Sequence, residues 1–291
     1  MRRILFFILS ALFASVVSAQ NVREELKQNM FKAGSNYYAY PDPQTKLTPA
    51  PKGMKPFYIS TYARHGSRFL IKGREYEQPY QLMLKASKHG KLSEIGEKVL
   101  KQLELLREEA RDRYGELTPL GAAQHRRIAQ RMYNNFPEVF QGNAIIDARS
   151  TVVIRCIISM ENALVRLTRN NPNLVIRSDA SEHDMYYMNL QDSALYKKRL
   201  SKQTGDTYKV FCDNHAIHQQ AMGRLFNDSA YAHDSVDTYV LNQQIFKIAS
   251  SVQGTEQRYH FNLFDIYTID ELYSNWLQYN AYWYLCFGNR L

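Results

Sequence analysis

The residues best suited to chemistry are Arg64-His65-Gly66-Ser67-Arg68, in which two guanidinium groups flank one imidazole. Two planar, permanently charged groups directed at one point suit a tetrahedral oxyanion, phosphate above all. An imidazole between them can attack phosphorus and form a phosphohistidine, which water then hydrolyses. The arginines would stabilise charge on the phosphoryl oxygens, and they would lower the pKa of His65 and so keep it neutral. These residue types therefore predict phosphoryl chemistry.

The elements around this motif must hold it in place. The run Phe57–Tyr62 is rich in aromatic and β-branched residues and predicts a strand, with the motif in the loop just after it. Loops at the carboxyl ends of strands are where α/β folds bind ligands. The preceding residues, 20–56, are polar and punctuated by proline, and they predict an extended lead-in with one short helix near Arg23–Lys32.

Helical periodicity follows the motif. A helical stretch begins near Tyr76, and Ser93 is placed to cap a second helix. The three- and four-residue spacing of the apolar side chains in that helix predicts a buried face formed by Ile95, Val99, Leu103, Leu106 and Ala110. Thr118-Pro119 predicts a cap followed by proline at the first helical position.

The fold class predicted from these elements is α/β: a Rossmann-like central sheet flanked by helices, with an added α-helical subdomain. Further strands are predicted at Ala144–Asp147 and Leu174–Arg177, with a helix between them, and later helices near 192–204, 214–226, 235–249 and 270–284. The predicted organisation is a signal peptide at 1–19, a lead-in at 20–56, the α/β core at 57–185 and the helical subdomain at 186–291.

The first nineteen residues have the pattern of an export signal. Arg2 and Arg3 precede an almost uninterrupted apolar run over 4–17, and the small residues Val17-Ser18-Ala19 predict cleavage before Gln20. The apolar run is too short to cross a bilayer, which takes about 20 residues. We therefore expect an exported protein, periplasmic or secreted, with no membrane attachment after the signal is removed.

The charge balance indicates the kind of partner. The chain has 37 Lys and Arg against 28 Asp and Glu, a formal net charge of +9. The basic residues are scattered and form no nucleic-acid arm, so the expected partner is an anionic small molecule and no nucleic acid. Neither the cysteines nor the histidines show metal-ligand spacing, so no metal and no cofactor is predicted. Three cysteines leave at least one unpaired within the chain.

Longer stretches resemble a known family. Arg-His-Gly-x-Arg after an apolar run resembles the first motif of the histidine acid phosphatases, clade 2 of the histidine phosphatase superfamily, and is most similar to the multiple inositol polyphosphate phosphatases, which are phytase-like. The resemblance spans roughly residues 36–288. It rests on four stretches in the family's order, namely Tyr62–Phe69, Glu116–His125, Ala148–Met160 and Gln278–Tyr284.

The resemblance implies roles for individual residues. His65 would be the phosphorylated nucleophile, and Arg64, Arg68 and Arg155 would bind the scissile phosphate. For Arg155 the competing interpretation is an ordinary arginine on a helix surface. Thr118 is interpreted as a helix cap rather than a ligand, and His125 as structural or at the rim of the pocket.

The sequence also departs from the family pattern. These enzymes carry a second motif near the C-terminus, His-Asp or His-Ala-Glu, whose acid protonates the leaving alcohol. The sequence ends at Gly288–Leu291 without it, so we expect one or more C-terminal strands to be missing and leave the proton donor unassigned. The pair His183-Asp184 is expected in the pocket wall or in a structural role, and His233-Asp234 in a turn where Asp234 or Ser235 caps a helix.

Three functional hypotheses follow. The leading one is an exported phosphomonoesterase that hydrolyses inositol polyphosphates or related phosphate esters through a phosphohistidine. The second is a C-terminally truncated, weakly active or inactive homologue that binds polyanionic phosphates. The third, from another class, is an exported binding module for polyanions. Phosphate release compared with a His65→Ala variant separates them.

Overall fold

The computed structural model describes residues 22–188 and 205–285. The chain forms two compact units, each built from separate stretches of sequence. One, here the α/β unit, comprises Ala39–Lys72 and Ala110–Ser193; the other, here the helical unit, comprises Met1–Tyr38, Gly73–Glu109 and Ala194–Leu291. The domain boundaries inferred from the sequence stay a prediction. The signal peptide predicted at 1–19 and the helix predicted near 192–204 lie outside the described residues.

The helices are numbered in chain order. Their bounds are α1 at 22–28, α2 Arg74–Lys88, α3 Glu94–Glu109, α4 Pro119–Asn135, α5 Ile154–Asn170, α6 Met185–Met188, α7 Asp206–His215, α8 His218–Gly223, α9 Ser229–Ser235, α10 Thr238–Val252 and α11 Ile269–Trp283. Short 3₁₀ turns lie at Met30–Tyr37, Pro137–Phe140, Glu182–Asp184, Glu256–Tyr259 and Leu263–Ile266. Across the described ranges, no helix is long and apolar enough to cross a membrane.

The α/β unit contains a parallel strand pair, β1 Ile145–Ser150 and β2 Val175–Ala180. A parallel pair needs a crossover connection, and α5 provides it. The register pairs Ile146 with Ile176, and both side chains pack on one face against a cluster formed by Ala129, Phe140, Leu167 and Leu174. The two strands predicted near these positions are therefore confirmed.

The other face of this pair carries exposed side chains. The register sets Asp147 beside Arg177 and Arg149 beside Asp179, so opposite charges are neighbours across the two strands. This face therefore carries charged side chains together with the exposed apolar pair Ile145 and Val175.

The strand predicted at Phe57–Tyr62 is not formed. The segment is extended but pairs with no other strand in the part of the chain that is described, and Phe57 is 92% exposed. Only Ile59 packs against the cluster beneath the sheet. Aromatic and β-branched residues favour extended backbone, but a strand also needs a hydrogen-bonding neighbour. The described sheet therefore has two strands, and the Rossmann-like central sheet is not confirmed.

In the helical unit, α3 confirms most of the predicted buried face. Val99, Leu103 and Leu106 are buried, but Ile95 is 45% exposed, so its predicted burial is wrong. Gly96 takes the buried place in the first turn, where it lies against the carbonyl group of Leu225 so closely that a Cβ atom would not fit. The close approach turns the neighbouring Ile95 toward solvent.

The later helices also depart from prediction in detail. The stretch predicted at 214–226 is broken into α7 and α8, so His215 and His218 do not share one helix face. Asp237, not Asp234 or Ser235, caps α10 by accepting the backbone N–H of Val240 at 3.0 Å. Helix α11 begins as predicted, and Thr268 and Glu271 form a reciprocal capping box at its start.

Candidate active site

The motif loop of the α/β unit is held by the start of α4. Thr118 caps this helix, since its Oγ1 accepts the backbone N–H of Gly121 at 3.2 Å. The same residue also holds the motif, because its backbone N–H and its hydroxyl group both donate to the carbonyl oxygen of Ser67, at 2.9 and 3.1 Å. The cap predicted from the sequence is confirmed, and it is also an anchor for the loop.

Two glycines allow this loop to lie directly on the helix. A Cβ atom at Gly66 would fall 2.7 Å from the Cα of Gly121, and one at Gly121 would fall 2.8 Å from the backbone nitrogen of Ser67. Real Cβ atoms do not make contacts this short, so neither backbone could stay in place with a larger residue. Glycine is therefore required on both sides of the contact.

The imidazole of His65 is fixed in one tautomer. Its Nδ1 lies 2.8 Å from the carbonyl oxygen of Gly66, and because a carbonyl only accepts, Nδ1 carries the proton. The lone pair is then on Nε2. Burial, with the charges of nearby arginines, lowers the pKa of His65 to about 4, against the smaller opposing effect of the Gly66 carbonyl. The sequence also predicts a lowered pKa for His65, but from the arginine charges. In the structure burial is a larger cause than those charges.

All three predicted arginines lie close enough to this imidazole for their charges to act on it. The charges of Arg64, Arg155 and Arg68 each lower the pKa of His65. Arg155 lies in the first turn of α5 and is half-buried, and burial together with the charge of Arg68 lowers its own pKa. Its NH1 donates to the carbonyl oxygen of Gly115 at 3.4 Å, while its Nε is buried with no hydrogen-bond partner among the described residues. Arg155 is therefore directed inward rather than lying on a helix surface.

Three further side chains hold the loop, and the sequence did not single out two of them. Ser159 Oγ accepts the backbone N–H of Gly66 at 3.1 Å, and Gln124 Oε1 accepts that of Ser67 at 2.8 Å. His125, expected to be structural, is buried and donates from Nε2 to the carbonyl oxygen of Arg64 at 3.1 Å. The only sequence signal for Gln124 is a polar residue on the buried side of a helix.

The carboxylates of the two His-Asp pairs both have partners. Asp184 lies 3.6 Å from Arg149 Nε in the α/β unit. His233 and Asp234 are exposed, hydrogen-bond to each other at 2.7 Å and lie in α9 of the helical unit. No group of three His, Cys, Asp or Glu side chains in the described ranges could hold a metal ion. Cys156 and Cys212 are free thiols, and Cys286 lies outside those ranges.

This geometry has a definite chemical capacity. Guanidinium groups near one imidazole can neutralise a tetrahedral dianion, and a neutral imidazole with its lone pair on Nε2 can act as a nucleophile toward it. The buried Nε of Arg155 is a donor that an oxyanion would satisfy.

The sequence matches no protein-family model, and it matches no curated protein. The structure is similar to solved structures of the multiple inositol polyphosphate phosphatase of Bifidobacterium longum. The apo form has a TM-score of 0.62 at 15% identity, and the match covers 85% of this chain and 68% of that one. The complex with inositol hexasulfate has a TM-score of 0.56 at 15% identity, with 69% of it and 85% of this chain covered. The complex with phosphate has a TM-score of 0.55 at 14% identity, with 63% and 81% covered. At this identity the similarity shows a shared fold.

Proposed function

We propose that this chain is a phosphomonoesterase that uses His65 as a nucleophile, with inositol polyphosphates or related phosphate esters as substrates. The observation that carries the proposal is the single tautomer of His65 within a group of three arginines. The shared fold with an inositol polyphosphate phosphatase solved with inositol hexasulfate and with phosphate supports the substrate class. The net charge of +9 also suits a highly anionic substrate.

The proposed reaction has two steps. Nε2 of His65 forms a bond to phosphorus as the ester P–O bond breaks, and that electron pair leaves with the ester oxygen, which takes up a proton. Water then attacks the phosphohistidine, the N–P bond breaks, and inorganic phosphate leaves as the imidazole recovers its lone pair. Arg64, Arg68 and Arg155 bind the phosphoryl oxygens throughout and stabilise their charge.

The test is phosphate release from phytate and from p-nitrophenyl phosphate. We expect release by the unaltered protein, none by His65→Ala, and unchanged release by His233→Ala, which alters an exposed histidine of α9. Phosphate label trapped on the protein should identify the intermediate. We expect the label to survive base but not acid, because a phosphohistidine is stable only in base. Release that persists in His65→Ala would remove the nucleophile from the proposal.

A second candidate, a binding module for polyanions, is favoured by one observation. The carboxylates of both His-Asp pairs in the described ranges already have partners, because Asp184 lies 3.6 Å from Arg149 and Asp234 hydrogen-bonds to His233. Titration calorimetry with phytate separates the two functions. Binding without release supports the module, whereas release abolished by His65→Ala supports the enzyme.

We also propose that the protein is exported and cleaved before Gln20. The support is the sequence pattern of the first nineteen residues. Mass spectrometry of the protein recovered outside the cytoplasm should show an N-terminus at Gln20. Retention of the full sequence in the cytoplasm would contradict the proposal.

A further inference from the structure

A single peptide group links Gln124 to the imidazole of His65. The peptide between Gly66 and Ser67 accepts the Nδ1–H of His65 at its carbonyl oxygen, at 2.8 Å. The N–H of the same peptide donates to Gln124 Oε1, also at 2.8 Å. Gln124 is only 3% exposed and therefore does not exchange this bond for water.

Hydrogen bonds at the two ends of a peptide group strengthen each other. When the N–H donates to a good acceptor, electron density shifts toward the carbonyl oxygen, which then accepts more strongly, by roughly 10–30% per bond. The acceptor at Gln124 thus makes the Gly66 carbonyl a better partner for His65. In water-filled surroundings the effect would be lost, but Gln124 is buried and His65 half-buried.

The hydrogen bond between His65 and the Gly66 carbonyl strengthens as the reaction proceeds. Bond formation at Nε2 puts positive charge on the imidazole, so Nδ1–H becomes a stronger donor than in the resting enzyme. A hydrogen bond that strengthens between ground state and transition state lowers the barrier, whereas one that stays constant does not.

We propose that Gln124 is a positioning residue for the nucleophile, which acts through the Gly66–Ser67 peptide to hold the proton on Nδ1 and the lone pair on Nε2. The kinetic part of this inference rests on the proposed function, but the tautomer does not. Gln124 holds the backbone N–H of Ser67 rather than the imidazole itself, so its proposed effect passes through the peptide group.

Substitutions at Gln124 should change His65 in opposite directions. The Gly66 carbonyl raises the pKa of His65, so weakening it lowers that pKa further. Gln124→Met keeps the length of the side chain but removes the acceptor, and should lower the pKa. Gln124→Glu keeps an acceptor oxygen and adds negative charge, and should raise it. A loss of packing alone would not give opposite signs.

The direct experiment is nitrogen-15 NMR of histidine-labelled protein, with His65 identified by the signal that disappears in His65→Gln. We expect a protonated Nδ1 and an unprotonated Nε2 in the unaltered protein. In Gln124→Met we expect the Nδ1 proton to move to lower frequency and the other tautomer to become populated. The matched control is Gln130→Met, which alters a glutamine of the same helix whose Oε1 accepts from Arg166 and Asn170 instead.

Kinetics provide the second readout. We expect Gln124→Met to lower kcat about tenfold, equivalent to about 1.4 kcal/mol of transition-state stabilisation, with KM changed less than twofold. An unchanged His65 spectrum in Gln124→Met would overturn the proposal, even with activity lost. If Gln124→Met does not fold, the spectrum and pKa of Gln124→Glu decide the question alone. A spectrum that changes as expected in a protein that releases no phosphate would instead refute the proposed function.

Discussion

The backbone N–H of Gly66 donates to the hydroxyl oxygen of Ser159 at 3.1 Å, across 93 residues of sequence. The same hydroxyl donates to the carbonyl oxygen of Arg155 at 2.7 Å. One side chain therefore joins the loop that carries His65 to the helical turn that carries Arg155.

We predict that Ser159→Ala destabilises the protein by about 1–3 kcal/mol, because it leaves the buried N–H of Gly66 without an acceptor. The matched control is Thr168→Val in the same helix, whose hydroxyl donates only to the carbonyl of Leu164, at 2.9 Å, within α5. Urea denaturation measures both variants. Equal losses of unfolding free energy would show that the contact with the loop adds nothing.

We predict an acid limb of kcat/KM near pH 4, because His65 must be neutral to attack and its pKa is lowered to about 4. Arg155→Met should move this limb to higher pH, since it removes one of the charges that lower that pKa. It should also reduce kcat/KM by roughly ten- to a hundredfold, as expected for the loss of a charge-assisted hydrogen bond.

The control for this prediction is Arg169→Met, which removes the same charge from the exposed far end of α5. Both pH profiles should be measured with p-nitrophenyl phosphate. An acid limb that does not move in Arg155→Met would mean that its charge does not act on His65.

We predict that Gly66→Ala and Gly121→Ala each cost at least about 1–3 kcal/mol of stability, because an added methyl group would overlap backbone atoms that cannot move aside. Gly223→Ala, at the end of α8 with open space around it, should be neutral or slightly stabilising. Thermal unfolding measures all three. Wild-type stability in Gly66→Ala would show that the loop and α4 are farther apart than described.

We predict that His65→Gln flattens the dependence of stability on pH between about 4 and 6.5. In the folded protein the pKa of His65 is about 4, against 6.5 for a free histidine, so below 6.5 the unfolded state binds the proton more readily. The contribution of neutral His65 to the free energy of unfolding is therefore complete above pH 6.5 and is lost as the pH falls toward 4. Melting temperatures at several pH values, compared with His183→Gln as control, measure it. Parallel curves for all three proteins would contradict the prediction.

The sequence predicts those features that depend on residues close together along the chain. The Arg64–Arg68 motif has two guanidinium groups and one imidazole within five residues, and Thr118-Pro119 defines a helix start on its own. Both strands of the sheet were predicted, because runs of this length and residue type favour extended backbone.

The other features of the fold and the candidate site depend on contacts between distant residues, which the spacing of residue types along the sequence does not reveal. Gln124 and Ser159 accept hydrogen bonds from backbone N–H groups, which every residue except proline has. No particular partner residue therefore marks them in the sequence. Phe57–Tyr62 has the residues of a strand but lacks a neighbour in the described chain. Ile95 fits the apolar spacing of α3, but the close approach of Gly96 to another backbone decides which side is buried.

The anchoring of the motif loop has a consequence for the order of folding. Its partners lie 51 to 93 residues away in sequence, at Thr118, Gln124, His125 and Ser159. Closing loops of this length costs chain entropy before any of these bonds can form, so the loop acquires its shape late, together with α4 and α5. A partly folded chain would then have the arginines but not their arrangement, and phosphate would stabilise only the finished unit.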